Sequence, residues 1–187
     1  MLDGHPNQRA ARAFKLAILT SARIGEVLSA EWRQFDLDRA VWTKPAAAVK
    51  QRREHRVPLA PQAVALLRRM SEERREASPF LFPGDAIGKP LQTVKVAWHT
   101  FCRDAGLEGV RIHDLRHTSV SLLVNSGVGL HLAGRLAGHR QSRTTERYAH
   151  TADSALRDAS ARLGSLVKGI TTAAETTRDG ESGAEEG

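Results

Sequence analysis

The sequence has very little cysteine and tyrosine, with one residue of each, Cys102 and Tyr148, among 187. A single cysteine excludes an intrachain disulfide framework and any zinc module with four cysteine ligands. No stretch approaches the roughly 18 consecutive apolar residues of a membrane span. Residues 1–20 also lack the apolar core and cleavage site of a signal peptide. The chain is predicted to form one domain around a hydrophobic core, without covalent staples and without a membrane anchor.

Positive charge is abundant and unevenly placed. Lys and Arg number 28 against 21 Asp and Glu, for a formal charge of +7. Residues 170–187 carry five acids and one base, so residues 1–169 hold 27 basic and 16 acidic residues, an excess of +11. This balance suggests a polyanionic partner, nucleic acid before membrane, because no strongly apolar amphipathic face accompanies it. Composition alone fits a basic protein with no polyanionic partner equally well.

Hydrophobic periodicity predicts a mainly α-helical domain with a small antiparallel β-sheet (α+β), residues 1–169, followed by a disordered acidic tail, residues 170–187. Strands are expected at Asp36–Asp38, Val41–Thr43 and His55–Leu59, with Lys44–Glu54 as an exposed hairpin loop. Helices are expected at Gln8–Ser21, Gly25–Ala30, Asp114–Asn125 and Leu130–Ala137. One more helix is expected to begin at Pro61, and another to run from Val94 to near Gly106. The last helix is expected to have an apolar face made of Leu156, Ala159, Leu163 and Leu166.

Four segments, residues 20–26, 50–59, 113–118 and 136–150, carry polar side chains that a core does not need. If these segments converge, the guanidinium groups of two arginines can each grip a phosphate through two hydrogen bonds. A hairpin lysine adds a mobile proton donor, and two histidines exchange protons near neutral pH. The tyrosine hydroxyl is a nucleophile once it loses its proton. Such a set can attack a phosphodiester and stabilise the developing charge without a metal ion.

A zinc site is the competing interpretation of the third segment. His113 and His117 lie four residues apart with Asp114 between them, which resembles a weak HExxH zinc helix. Aspartate is a poor replacement for the glutamate, no third ligand is evident, and Arg116 would place a cation beside the metal. No metal site is therefore predicted.

Together the segments resemble the tyrosine recombinases, the phage integrase family. Residues 20–26 (TSARIGE) are similar to the family's T-G-x-R-x-G-E, residues 50–59 (KQRREHRVPL) to its lysine hairpin, and residues 113–118 (HDLRHT) to its H-x-x-R box. Residues 136–139 (LAGH) match its L-G-H box, and the tyrosine follows nine residues later. The resemblance identifies, in the family's order, the catalytic residues Arg23, Lys50, His113, Arg116, His139 and Tyr148, with Glu26 as a supporting acid.

The resemblance implies the DNA breaking-rejoining fold of an integrase catalytic domain and a site-specific recombinase that integrates or excises a mobile element. Tyr148 would attack the scissile phosphate to give a 3′-phosphotyrosine, Lys50 would protonate the 5′-oxygen, and His113 would handle the tyrosine proton. Arg23, Arg116 and His139 would hold the non-bridging oxygens. No ATP, metal or other cofactor is implied.

The implied partner is a double-stranded DNA recombination site, with further phosphate contacts from Arg52, Arg53 and Arg56. The family pattern also implies a tetramer on DNA and a monomer without it, in the cytoplasm near the nucleoid and without membrane attachment. The segment Ala155–Val167 would dock on a neighbouring protomer.

Two departures from the family pattern bear on these expectations. Ser21 stands where the family usually has glycine. The family's N-terminal core-binding domain, which clamps the other face of the DNA, is expected to be absent. Two alternatives stay open: a type IB topoisomerase-like enzyme, which shares the set of arginine, lysine, histidine and tyrosine, and an integrase remnant that only binds DNA, which the missing domain favours.

Overall fold

A computed structural model describes residues 5–45, 54–74, 78–138 and 155–169, which are mostly helical with one three-stranded antiparallel sheet. The predicted fold class is confirmed, whereas the acidic tail, residues 170–187, lies outside the described residues. In chain order the elements are α1 (Gln8–Thr20), α2 (Ile24–Leu28), a 3-10 helix (Trp32–Gln34), β1 (Phe35–Asp36), β2 (Val41–Lys44), β3 (His55–Pro58), α3 (Pro61–Glu72), α4 (Lys95–Asp104), α5 (Asp114–Asn125), α6 (Leu130–Ala137) and α7 (residues 155–169).

Helix α1 forms the centre of the core, and it packs against α2, α3 and α5. The Asn7 side chain caps its start by accepting a hydrogen bond from the backbone N–H of Ala10 at 3.0 Å. Ala13 and Leu16 are fully buried, and the Phe14 ring meets the edge of the Trp98 ring of α4 at 5.0 Å between centroids. Because each buried large apolar side chain contributes about 2 kcal/mol, this packing anchors α1 and the residues that follow it.

The sheet has the order β1-β2-β3, and its last two strands form a hairpin in which Trp42 pairs with Val57 and Lys44 with His55. The sequence pattern predicts Lys44 in an exposed loop, and this prediction is wrong. Lys44 is the last residue of β2 and is 2% exposed, because its ammonium group pairs with the Glu26 carboxylate at 2.7 Å. Residues 46–53 of the predicted loop lie outside the described residues.

Helix α7 packs against β3 of its own chain, and docking of this segment on a neighbouring protomer stays a prediction. The Ser160 hydroxyl donates to the carbonyl of Pro58 at 2.9 Å, and Leu163 is fully buried. The predicted apolar face needs one change, since Val167 is buried and Leu166 is only partly so. With a period of 3.6 residues, Val167 lies closer to the line through Leu163 than Leu166 does.

None of the helices in the described ranges is both long and apolar enough to cross a membrane.

Candidate active site

The first of the four candidate segments, residues 20–26 (TSARIGE), begins at the turn that ends α1. Ser21 caps the helix in the left-handed conformation, with φ 52° and ψ 23°. This conformation destabilises a residue with a Cβ by about 1 kcal/mol, which gives a physical reason for the glycine that the family usually places here. The turn directs the chain into Arg23, the N-cap residue of α2.

Glu26 lies in the first turn of α2, where a negative charge is favoured by the helix dipole. Its Oε1 atom accepts a hydrogen bond from Nη1 of Arg23 at 2.9 Å. The Arg23 side chain is 36% exposed and the Glu26 side chain 11%. Arg23 is therefore held by Glu26 through one nitrogen while part of its side chain is exposed.

The segment 113–118 (HDLRHT), which opens α5, is bound to the end of α1 by two side chains of that helix. The Arg116 Nη1 atom donates to the carbonyl of Ser21 at 2.8 Å, and the Ser119 hydroxyl lies 2.8 Å from the carbonyl of Ile18. These contacts join residues 95 and 101 positions apart in sequence. They bring the HDLRHT segment to the TSARIGE segment, as the proposed chemistry of the segments requires.

Arg116 is a buried cation with unused hydrogen-bonding capacity. It is 4% exposed, and its Nη2 atom has no partner within the described ranges. Burial lowers the pKa of Arg116 to about 10, and repulsion from Arg23 acts in the same direction. A buried donor without a partner is costly, so an anion at this position would relieve both the missing hydrogen bond and the repulsion between the arginines.

Arg23, Arg116 and Lys44 form a cluster of three cations around Glu26. The sequence motifs assign no role to Lys44. Its Nζ atom lies 2.7 Å from Oε2 of Glu26 and 4.3 Å from the centre of the Trp42 ring. Burial alone would raise the pKa of Glu26, but Lys44 and then Arg23 outweigh burial and hold that pKa below its usual value. The alternation of β2 could have revealed this residue, because Lys44 shares a face with Trp42, two positions earlier.

His113 lies at the N-cap position of α5 and is exposed. Partial loss of hydration lowers its pKa below 6.5, and the charges of His117, Arg116 and Arg23 lower it further. The imidazole rings of His113 and His117 stand edge to face at 5.1 Å between centroids. A lowered pKa keeps His113 neutral at pH 7, the form that can accept a proton.

His55 connects the base of the hairpin to the end of α6. Its Nε2 atom lies 3.2 Å from the carbonyl of Arg135, and a Cβ atom placed on Gly138 would come within 2.7 Å of the imidazole ring. Burial, followed by the charge of Lys44, lowers the pKa of His55 to about 4, so this ring is neutral. The contact spans 80 residues and fixes the position from which the chain continues to His139.

The structure thus brings together Arg23, Glu26 and Arg116, and the charges of both arginines reach His113. Arg56 is exposed on β3, and strand alternation places it on the opposite face of the hairpin from Lys44 and His55. Among the described residues, no group of three His, Cys, Asp or Glu side chains could hold a metal ion. The remaining predicted residues lie outside the described ranges: Lys50, Arg52, Arg53, His139 and Tyr148.

Comparison with known proteins gives consistent matches. The profile of the Phage integrase family matches residues 4–155. The integrase of Salmonella phage P22 is 28% identical over 162 residues, which cover 81% of this chain and 42% of that protein. The integrase from mycobacterium phage Brujita has a similar fold, with a TM-score of 0.68 and 24% identity over 87% of this chain and 54% of that one.

A third similar protein is the Tn1549 transposon integrase, whose structure contains circular intermediate DNA. It matches with a TM-score of 0.58 and 17% identity, over 80% of this chain and 59% of that one. The chain therefore spans less than half the length of the phage P22 integrase and little more than half of these two solved chains.

Proposed function

Because the chain belongs to the phage integrase family of tyrosine recombinases, we propose that residues 1–169 form a catalytic domain that cleaves and rejoins DNA strands site-specifically. The observation that carries this proposal is the buried Arg116, whose Nη2 atom has no partner in the described ranges, beside a second arginine held by Glu26. The biological role is integration or excision of a mobile element.

In the proposed reaction, the Tyr148 oxygen attacks the scissile phosphorus and the bond from phosphorus to the 5′-oxygen breaks. His113 accepts the tyrosine proton, and Lys50 gives a proton to the leaving 5′-oxygen. Arg23, Arg116 and His139 stabilise the non-bridging oxygens, whose negative charge increases in the transition state. The product is a 3′-phosphotyrosine that conserves the energy of the phosphodiester bond, so religation needs no ATP.

The charges of the cluster support this chemistry. Arg23, Arg116 and Lys44 against Glu26 leave a net charge of about +2, which matches the doubly negative pentacovalent phosphorus of the transition state. Guanidinium groups supply the electrostatic stabilisation that metal ions supply in other phosphoryl-transfer sites, so no metal is proposed.

The burial of Lys44 supports Lys50 as the proton donor. A lysine that gives a proton to a leaving oxygen must reach that atom, whereas Lys44 is 2% exposed and faces Glu26 at 2.7 Å. Lys50 is the next lysine along the chain. It is the first residue of the segment KQRREHRVPL, which resembles the family's lysine hairpin.

The proposed partner is a double-stranded recombination site, bound by a tetramer. The positive charge of residues 1–169 supports a DNA partner, as does the shared fold of the Tn1549 transposon integrase, which was solved with DNA. Arg52, Arg53 and Arg56 are proposed to contact phosphates of the DNA backbone.

A nicked duplex carrying the attachment site tests the proposal. Cleavage beside the nick releases a short fragment, so the covalent protein–DNA adduct accumulates and survives SDS. We expect an adduct with the unaltered protein in the presence of EDTA, and none with Tyr148→Phe. Retained DNA binding without any adduct would contradict the recombinase and leave a DNA-binding remnant. Relaxation of supercoiled plasmid without site preference would indicate a type IB topoisomerase instead.

A further inference from the structure

We propose that Lys44 is a positioning residue of the active site, which holds Glu26 so that Glu26 orients Arg23 toward the scissile phosphate. The inference rests on the proposed function for its consequence in catalysis. Its structural part, the link from Lys44 through Glu26 to Arg23, stands on the contacts of the described residues alone.

The Glu26 carboxylate is divided between two cations. Oε1 accepts from Arg23 Nη1 at 2.9 Å, and Oε2 accepts from Lys44 Nζ at 2.7 Å. Each oxygen therefore has its own charged partner. Arg23 is limited to a contact through one nitrogen, and the rest of its guanidinium group is left for another anion.

Without Lys44, Oε2 would be a buried carboxylate oxygen without a cation. Arginine and carboxylate favour a paired, two-bond geometry, so we expect the other nitrogens of Arg23 to turn toward Oε2. The Arg23 side chain is 36% exposed and has room to rotate toward that geometry. Such a rotation would turn its donors away from the phosphate. By occupying Oε2, Lys44 therefore keeps the guanidinium group of Arg23 directed toward the phosphate.

The surroundings of Lys44 fix its position. Backbone pairing with His55 holds the end of β2, and the Trp42 ring lies 4.3 Å from the ammonium nitrogen. The side chain is 2% exposed, so the ammonium group is shielded from bulk water and has Glu26 as its charged partner. Burying this ammonium group is costly, and an apolar side chain would avoid the cost. The charge therefore contributes something that packing alone does not.

A cycle of four proteins separates positioning from packing: the unaltered chain, Lys44→Met, Glu26→Gln and the double variant. The Glu26→Gln side chain keeps an amide oxygen that can accept from Arg23 but carries no charge that needs a cation. We expect Lys44→Met to slow adduct formation about 100-fold, the size of effect that follows from a misplaced catalytic group. In the double variant the rate should return to that of Glu26→Gln alone.

Lys89→Met is the matched control, because it removes the same charge from an exposed loop position. It should leave the rate of adduct formation unchanged. A double variant at least as slow as Lys44→Met would overturn the proposal, because a purely packing role for Lys44 predicts no rescue by a change at Glu26.

A second measurement does not depend on cleavage. The ¹⁵N–¹H spectrum of the arginine side chains reports the environment of Arg23, whose signal is identified by its loss in Arg23→Lys. We expect the Arg23 signal to shift in Lys44→Met and to return toward the Glu26→Gln position in the double variant. An unmoved signal would overturn the positioning role even if cleavage occurs. If the Arg23 signal shifts in Lys44→Met and returns in the double variant, but the protein forms no adduct on its site, the link from Lys44 through Glu26 to Arg23 stands and the proposed function is rejected.

Discussion

The two arginines of the cluster are held in different ways. Arg116 is 4% exposed and is bound to the backbone, through the carbonyl of Ser21 at the end of α1. Arg23 is 36% exposed and is bound to a side chain, through Glu26 and, behind it, Lys44. A backbone carbonyl on a buried helix end has little freedom to move, whereas a chain of ionic side chains can rearrange. Under the proposed function, the backbone-held Arg116 would set the location of the phosphate, whereas the direction of Arg23 would depend on Glu26 and Lys44.

The largest predicted effect is on the rate of adduct formation when each arginine is replaced by lysine. Lysine keeps the charge, but its donors all lie on one nitrogen and cannot span from the Ser21 carbonyl to the phosphate as Nη1 and Nη2 can, so Arg116→Lys should slow adduct formation about 10³-fold. Arg23→Lys can still pair with Glu26 and approach the phosphate, and its loss should be about 10²-fold. Single-turnover rates on the nicked duplex measure both. Equal losses, at similar thermal stability of the two variants, would contradict the comparison.

A smaller effect is expected of pH on the stability of the folded chain. It acts through His55, which pairs with Lys44 at the end of the β2–β3 hairpin. The pKa of His55 is about 4 in the folded chain against 6.5 for the free group. Between these values the unfolded state binds more protons, so stability is fully present above pH 6.5 and is lost as pH falls toward 4. The total loss from this group is about 3 kcal/mol.

Denaturant unfolding of the unaltered chain and of His55→Gln, between pH 7 and pH 4, measures this contribution. The glutamine can still donate to the carbonyl of Arg135 but does not titrate, so the variant should lose less stability over this range. Other groups titrate equally in both proteins, and parallel pH curves would show that His55 is not a buried neutral group.

The smallest predicted effect concerns the turn that holds Arg116. Ser21→Gly relieves the left-handed strain and removes a hydroxyl without a partner in the described ranges, although it makes the unfolded chain more flexible. We expect a net gain of about 1 kcal/mol in the free energy of unfolding, with the rate of adduct formation unchanged. Ala40→Gly is the matched control, because Ala40 has the same φ of 52° far from the arginines in sequence. A loss of cleavage in Ser21→Gly alone would show that the serine side chain acts in the site.

Local patterns of the sequence predict most of the helices and the residues that carry the proposed chemistry. Helices α5 and α6 begin and end where predicted, because their apolar spacing and the residues at their ends agree. We predict that Arg23 and Arg116 lie close together because the proposed chemistry needs both and because the family resemblance implies it. No local sequence pattern predicts that proximity. It depends on hydrogen bonds between α5 and α1 across about a hundred residues.

The incorrect and missing predictions have a common physical cause. The pattern places Lys44 in solvent because a lysine at the end of a strand is usually exposed, and only its pairing with Glu26 makes burial tolerable. His55 receives no role because its partners, Arg135 and Gly138, follow some 80 residues later. In each case a tertiary contact decides the position of the side chain. The alternation of β2 places Lys44 on the face of Trp42, but it does not identify Glu26 as the partner that makes burial tolerable.

The most direct test of the central claim is to identify the amino acid that becomes joined to DNA. The adduct formed on the nicked duplex is digested with trypsin and nuclease, and the modified peptide is sequenced by mass spectrometry. We predict a nucleotide linked through its 3′-phosphate to Tyr148, in the peptide that follows Arg147. A nucleotide on any other residue, or one linked through its 5′-phosphate, would contradict the account.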